Sequence, residues 1–142
     1  MRNQILKNGE IRSAKQKCWR GILTTEVPEK YSHNAYEMWE KGKRFGFVKI
    51  AENTLYWYAL VNEKLYFPET NLRDTFKNFH PDVLEMISKT KENNIIFSDI
   101  LDLKPMNNWF TDNLCLIGDA AHATTPNMGQ GGCQAVEDAY II

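Results

Sequence analysis

No hydrophobic run in this 142-residue sequence approaches the roughly 18 residues that a membrane-spanning helix needs. The longest, Leu55–Val61, has the length of a strand, and the opening Met1-Arg2-Asn3-Gln4-Ile5-Leu6-Lys7-Asn8 lacks the apolar stretch of a secretory signal. Cysteine is scarce: Cys18, Cys115 and Cys133 are an odd set with no CxxC pair, which argues against a disulfide framework or a zinc site. They are expected to be small core hydrophobes in a reducing cytoplasm. His33, His80 and His122 stand at no ligand spacing, so no metal centre is expected. Charge of one sign is also lacking. Seventeen Lys and Arg against 18 Asp and Glu leave nothing to draw in nucleic acid or anionic lipid. There is no GxSxG, no Cys–His nucleophile context and no internal repeat. What remains is an ordinary globular composition, 43% hydrophobic and 25% charged, in a chain long enough to bury about 70% of its unfolded surface.

Residues 1–17 are polar and basic, with a turn signal at Asn8-Gly9, and are expected to form a surface connecting segment. From Cys18 the texture is β. Trp19–Thr24 and the short aromatic Tyr36–Trp39 precede two β-branched and aromatic runs, Phe45–Ile50 and Thr54–Val61. Only Ala51-Glu52-Asn53 separates those runs, which predicts an antiparallel hairpin. Gly42 and Gly46 mark bends or close approaches to the backbone. Asn71 can cap a helix with Leu72, Phe76 and Phe79 as its apolar stripe, and Pro81 suits the first turn of a second helix carrying Val83, Leu84 and Ile87. Ile95–Ile100 reads as a strand. Asn113–Ile117 reads as another, running into Gly118-Asp119, a loop, and a glycine-opened helix from about Gln130 to Ile142. That helix has no C-cap, and its stripe of Cys133, Val136 and Tyr140 lacks an obvious partner. The strand–loop–helix also has the style of a parallel α/β unit, which needs parallel neighbours that the chain hardly offers. The chain is therefore expected to be part of a larger protein.

The chemistry concentrates near the end. An apolar strand ending in Gly118-Asp119 puts a carboxylate at the carboxyl edge of a sheet, where α/β proteins bind ligands. An ionised carboxylate accepts two hydroxyl hydrogen bonds, which suits a sugar or ribityl chain. Ala120 and Ala121 are small enough for an extended ligand to lie against the backbone. Glycines 129, 131 and 132 expose N–H groups at a helix start that carries roughly +0.5 charge. Such a terminus favours an anion or an electron-rich carbonyl, such as the pyrimidine edge of a flavin. Each part alone is weak. Gly-Asp is a common strand-end turn, the glycine run is not a GxGxxG, and His122 reads as a hydrogen-bonded structural residue rather than a proton-transfer group.

Together, Gly118-Asp119-Ala120-Ala121-His122, Pro126, Gly129-Gln130-Gly131 and Glu137-Asp138-Ala139, at this spacing, closely resemble the second flavin-contacting motif of the FAD-dependent monooxygenases. These are the single-component aromatic hydroxylases and their epoxidase relatives. Upstream, Cys18-Trp19-Arg20-Gly21 resembles the first strand of the family's substrate domain. Arg44-Phe45-Gly46-Phe47 with Tyr56-Trp57-Tyr58 resembles its central hairpin, and Phe79-His80-Pro81 with the helix after it also fits.

The resemblance implies an α/β fold. After the connecting segment (residues 1–17) comes an antiparallel substrate-binding sheet with helices (18–110), followed by a strand–loop–helix arm of a Rossmann-like FAD-binding domain (111–142). It implies FAD contacts from Gly118, Asp119, Ala120, Pro126, Gly129, Gln130 and Gly131. Asp119 would hold the ribityl chain, Pro126 would line the flavin beside the substrate, and the N–H groups of residues 129–131 would meet the pyrimidine edge. No side-chain acid or base is implied. NAD(P)H reduces the flavin, which captures O2, and the flavin hydroperoxide hydroxylates or epoxidises a small aromatic or unsaturated substrate. Phe45, Phe47, Tyr56 and Tyr58 are candidate substrate contacts, although a period of two does not say which face of the hairpin is inward.

The sequence departs from the family by lacking the N-terminal βαβ unit, with its GxGxxG for the ADP half of FAD, the middle motif containing Asp-Gly, and the C-terminal remainder of the final helix. The missing N-terminal half is thus an expected partner, and the isolated chain is expected to bind FAD poorly and to be inactive. A related flavin-dependent reductase or halogenase stays open as a reading. So does a non-catalytic remnant or interaction domain without bound cofactor.

Overall fold

The computed structural model describes residues 9–142. The chain forms two compact units, one of Lys15–Asp99 and one of the residues up to Ala14 together with Ile100–Ile142. The expected connecting segment is corrected over its second half. Residues 1–8 lie outside the described residues, but strand β1 (Ile11–Thr24) begins well before Trp19. Lys15, within it, takes φ +58, an uncommon left-handed backbone for a residue other than glycine.

Strands β2 (Tyr36–Glu40), β3 (Lys43–Ala51), β4 (Thr54–Asn62) and β5 (Ile95–Leu103) join β1 in a five-stranded sheet of order β2-β3-β4-β1-β5. The β3–β4 hairpin is antiparallel as predicted, with Phe47 opposite Trp57 and Gly46 opposite Tyr58. Its turn is tighter than the sequence suggested, because Ala51 pairs with Thr54, and a register shift at Lys49–Ala51 absorbs the extra residue. β1 lies antiparallel to β4, and β2 antiparallel to β3. On β5, Asp99 meets Lys17 at 2.5 Å and Ser98 accepts from Arg20 at 2.9 Å, which is antiparallel order again.

Alternation along this hairpin sorts the side chains. Leu55, Trp57 and Ala59 point to one face with Phe45 and Phe47, where they meet Phe76, Val83, Met86 and Ile87. Phe76 directly follows α1 (Leu72–Thr75), and the other three come from α2 (Pro81–Lys89). Asn71 caps α1 by accepting from the Asp74 N–H, as its position suggested. The helix is nevertheless shorter than its Leu72–Phe79 stripe. Pro81 holds His80 in an extended conformation (ψ 143°), so the chain breaks between the helices while Phe76 and Phe79 still reach the core. Trp57 is fully buried, and its indole N–H donates to Thr90 at 2.9 Å. Gly46 leaves room for Tyr58, whose ring lies 2.4 Å from where a Cβ would stand.

In the second unit, Leu103, Met106, Leu116 and Ala121 form a small core. The expected strand over Asn113–Ile117 shrinks to β7 (Leu114–Cys115), paired antiparallel with β6 (Phe110–Thr111). Then come α3 (Asp119–His122) and α4 (Gly131–Ile141). The expectation that all three cysteines are core residues is corrected: Cys18 is buried, while Cys115 and Cys133 are exposed. β7 is too short to place its alternate side chains in a core, and the apolar side of α4 is uncovered, with Val136 70% and Tyr140 91% exposed. Among the described residues no helix is long and apolar enough to cross a membrane.

Candidate functional site

Gly118 is the pivot of the candidate site. It leaves β7 with φ +55 and ψ −140, a region that is costly for any residue with a side chain. It is also buried, and an added Cβ would lie 3.0 Å from the Cβ of Ala135 on α4. Both of its backbone groups are used. The carbonyl accepts from the N–H groups of Ala121 and His122, each at 2.9 Å, and so starts α3. The N–H donates to Oδ2 of Asp138 on α4 at 2.8 Å.

The same carboxylate oxygen accepts from His122 Nε2 at 2.6 Å. A carboxylate can only accept, so Nε2 carries the proton. The Gly118 N–H, and after it His122, holds the Asp138 carboxyl below the usual carboxylate range. Trp109 packs edge-on to the His122 ring at 6.2 Å and donates its own N–H to the Met106 carbonyl at 2.8 Å. His122 is thus a hydrogen-bonded anchor, as its context suggested.

On this frame Asp119 and Ala120 are exposed at the start of α3. Pro126, also exposed, opens a single 3-10 turn (Pro126–Met128), which Gly129 closes at φ +64. Gln130 and Gly131 then lead into α4, and among the described residues no side chain of Gln130 caps that helix. Around Gly129 and Gly132 a Cβ would find no neighbour within 4 Å. An uncapped helix start, open space beside two glycines and an exposed carboxylate nearby in the chain are the features that a flavin's ribityl hydroxyls and pyrimidine carbonyls require. The residues present therefore fit the group. Among the described residues no cluster of three or more metal-ligating side chains occurs.

The candidate substrate contacts divide. Phe45 and Phe47 are corrected: at 0% and 2% exposure they are core residues beneath the helices, stacked against Trp57 and Tyr36 respectively. Tyr56 and Tyr58 point to the opposite face, where a cleft of about 190 Å³ is lined by Glu37, Val48 and both tyrosines, and Tyr36 and Phe47 also border it. The Tyr58 hydroxyl donates to Glu37 Oε1, which also lies 3.4 Å from Arg44 Nη1. Trp39 donates to the other oxygen of Glu37 at 2.9 Å and lies under the Arg44 guanidinium. Burial pushes both tyrosine hydroxyls up, for Tyr58 with help from Glu37, so each is a neutral donor at physiological pH. The sequence missed this Glu37–Arg44 pairing, although period-two alternation puts Glu37, Arg44 and Tyr58 on one face once the register is known. A cleft of about 440 Å³ on the helix side, beside Tyr31, Asp82 and Met86, contains none of the expected site residues.

The FAD binding domain family matches residues 100–142. Aurachin C monooxygenase/isomerase of Stigmatella aurantiaca is 37% identical over 147 residues, covering all of this chain and 38% of that protein. Over its full length this chain is similar to the FAD-dependent monooxygenase family. Another relative in it is the 2-heptyl-3-hydroxy-4(1H)-quinolone synthase of Pseudomonas aeruginosa, 28% identical across the whole of this chain and 39% of its own length. Among solved structures, Klebsiella pneumoniae HpxO complexed with FAD and uric acid superposes with a TM-score of 0.80 at 26% identity, covering 97% of this chain and 37% of that one. The chain thus spans about two fifths of the length of each of these two curated relatives. Its mixed α/β fold, a five-stranded antiparallel sheet with helices, corresponds to part of the family fold.

Proposed function

We propose that this chain is the substrate-sheet and flavin-contacting part of a flavoprotein monooxygenase that uses FAD, NAD(P)H and O2 to hydroxylate or epoxidise a small aromatic or unsaturated compound. The observation that carries the reading is the Gly118 turn. It leaves Asp119 and Ala120 exposed on a turn that packs, through Gly118, against Ala135 and Asp138 of the helix with the uncapped, glycine-lined start, in a stretch that the FAD binding domain family matches. Asp119 would hold the ribityl hydroxyls, with Gly118 and Ala120 keeping the backbone close. The N–H groups of Gly129, Gln130 and Gly131 would hold the pyrimidine edge, and Pro126 would line the ring. These residues form the strand–loop–helix arm of a Rossmann-like FAD-binding domain. When bound, FAD supplies the redox chemistry, passing two electrons from NAD(P)H to O2 so that one oxygen atom enters the substrate and the other leaves as water. The chain's own task is to bind, orient and exclude water. On the face of the sheet away from the helices, Tyr56 is a neutral donor suited to the carbonyl or ring nitrogen of a planar substrate, while Tyr58, whose O–H is given to Glu37, offers its ring. Relatives named for a quinolone and a structure holding uric acid support an aromatic heterocycle as the substrate class.

The test is isotopic. The native gene product, supplied with NAD(P)H and 18O2, is expected to place one labelled atom in an aromatic or unsaturated acceptor. Label that appears only in water and hydrogen peroxide across a panel of such acceptors would contradict the proposal.

A further inference from the structure

Two segments proposed to touch the flavin, Gly118–Ala120 and Gly129–Gly131, are separated by a loop that has little core of its own. Pro126, Met128, Gly129 and Gln130 are all exposed. What ties the segments together is one face of α4. Ala135 and Asp138 stand three residues apart, so both face the Gly118 turn. Ala135 closes the space that a side chain on Gly118 would need, with its Cβ 3.0 Å from that position. Asp138 bonds the Gly118 N–H at 2.8 Å and the His122 ring at 2.6 Å, the two ends of the turn that carries Asp119. A single carboxylate oxygen thus spans α3 from its cap residue to its last residue and fixes it to the helix that begins at Gly131.

We infer that Asp138 is a positioning residue for FAD: through the Gly118 N–H and the His122 ring it sets the Asp119 turn in register with the amide-bearing start of α4. This rests on the flavin reading above and adds to it a residue that does not itself touch the cofactor. Without Asp138 the Gly118 N–H loses its acceptor in a buried turn and His122 loses its anchor. Asp119 is then presented in several orientations, of which only one fits the ribityl chain. The energy of the Asp119 contact is therefore coupled to Asp138, and the two residues act as a unit.

The test is a double-mutant cycle in the native gene product, read by quenching of flavin fluorescence on titration with FAD. Asp138→Ala is expected to weaken binding about tenfold or more, as for a lost charged hydrogen bond. Asp119→Ala/Asp138→Ala should be no weaker than Asp119→Ala alone by more than about twofold. Asp138→Asn, which keeps one carbonyl acceptor, should recover part of the affinity and serves if the alanine variant does not fold. In the ligand-free protein, hydrogen exchange at the Gly118 amide should accelerate in both Asp138 variants. Val136→Ala, on the exposed side of the same helix, is the control and should bind as the wild type does.

Asp138 variants that bind FAD within twofold of the wild type, or losses that add fully with that of Asp119→Ala, overturn the inference and leave the flavin reading standing. A wild-type protein that takes up no FAD overturns that reading, and the inference falls with it.

Discussion

At the residue scale the account rests on a few side chains with no spare room. Gly118→Ala meets both a backbone region reserved for glycine and the Cβ of Ala135. It is expected to destabilise the second unit by about 1–3 kcal/mol from backbone strain alone. A thermal melt that matches the wild type would contradict this. Thr90→Val removes the acceptor of the buried Trp57 N–H and also the hydroxyl that donates to the Met86 carbonyl at 2.7 Å. The unsatisfied indole should cost about 1–3 kcal/mol, measured by urea denaturation. Asp119→Ala should weaken FAD binding by about 1.5–3 kcal/mol, and an unchanged affinity would remove Asp119 from the site. Gly118 and Asp119 were legible because a motif of fixed spacing marks them. The partnership of Asp138 with Gly118 was not, since 20 residues lie between them and only the packing of α4 brings them together. Lys15 was equally hidden, because its left-handed backbone belongs to a residue type that gives no turn signal.

At the scale of elements, local rules did well where the alternation was strict and less well where tertiary packing set the ends. The β3–β4 hairpin, the Asn71 cap and the Pro81 helix start follow from propensity and turn chemistry. Phe45 and Phe47 show where that reasoning stops, since period two separates the faces without saying which one the helices cover. The strand expected at Asn113–Ile117 is short because its neighbour, β6, offers only two paired residues. One inter-element tie gives a pH prediction. Asp82 on α2 accepts from the Tyr31 hydroxyl and from Lys30, at 2.9 Å for the lysine, and these bonds hold its carboxyl below the usual range. Because the folded value is the lower one, this stabilisation is complete above about pH 4 and is lost as pH falls through the folded value. Asp82→Asn should therefore be less stable than the wild type near neutrality, with the difference shrinking towards acid. A difference that stays constant from pH 7 to the acid limit would contradict the role given to this carboxylate.

At the scale of the whole molecule, the sequence carried the family through one dense motif and a looser match across the sheet, and the comparisons extend that likeness over the full chain. The uncovered face of α4, where Val136, Tyr140 and Ile141 stand exposed, was legible as well, in a helical stripe for which the sequence offered no partner. Expressed alone, residues 1–142 should not retain stoichiometric FAD through gel filtration, since no GxGxxG unit for the ADP half is among them. Retention would show that the Gly118 and Gly129–Gly131 segments suffice by themselves. The central claim is that this chain contributes to one FAD site in the protein it belongs to. The most direct measurement is the flavin content of the native gene product, purified without added cofactor and quantified by visible absorbance against protein mass. The account predicts a yellow protein with one FAD for each copy of this 142-residue sequence. A folded, colourless product that takes up no flavin when FAD is supplied would contradict it.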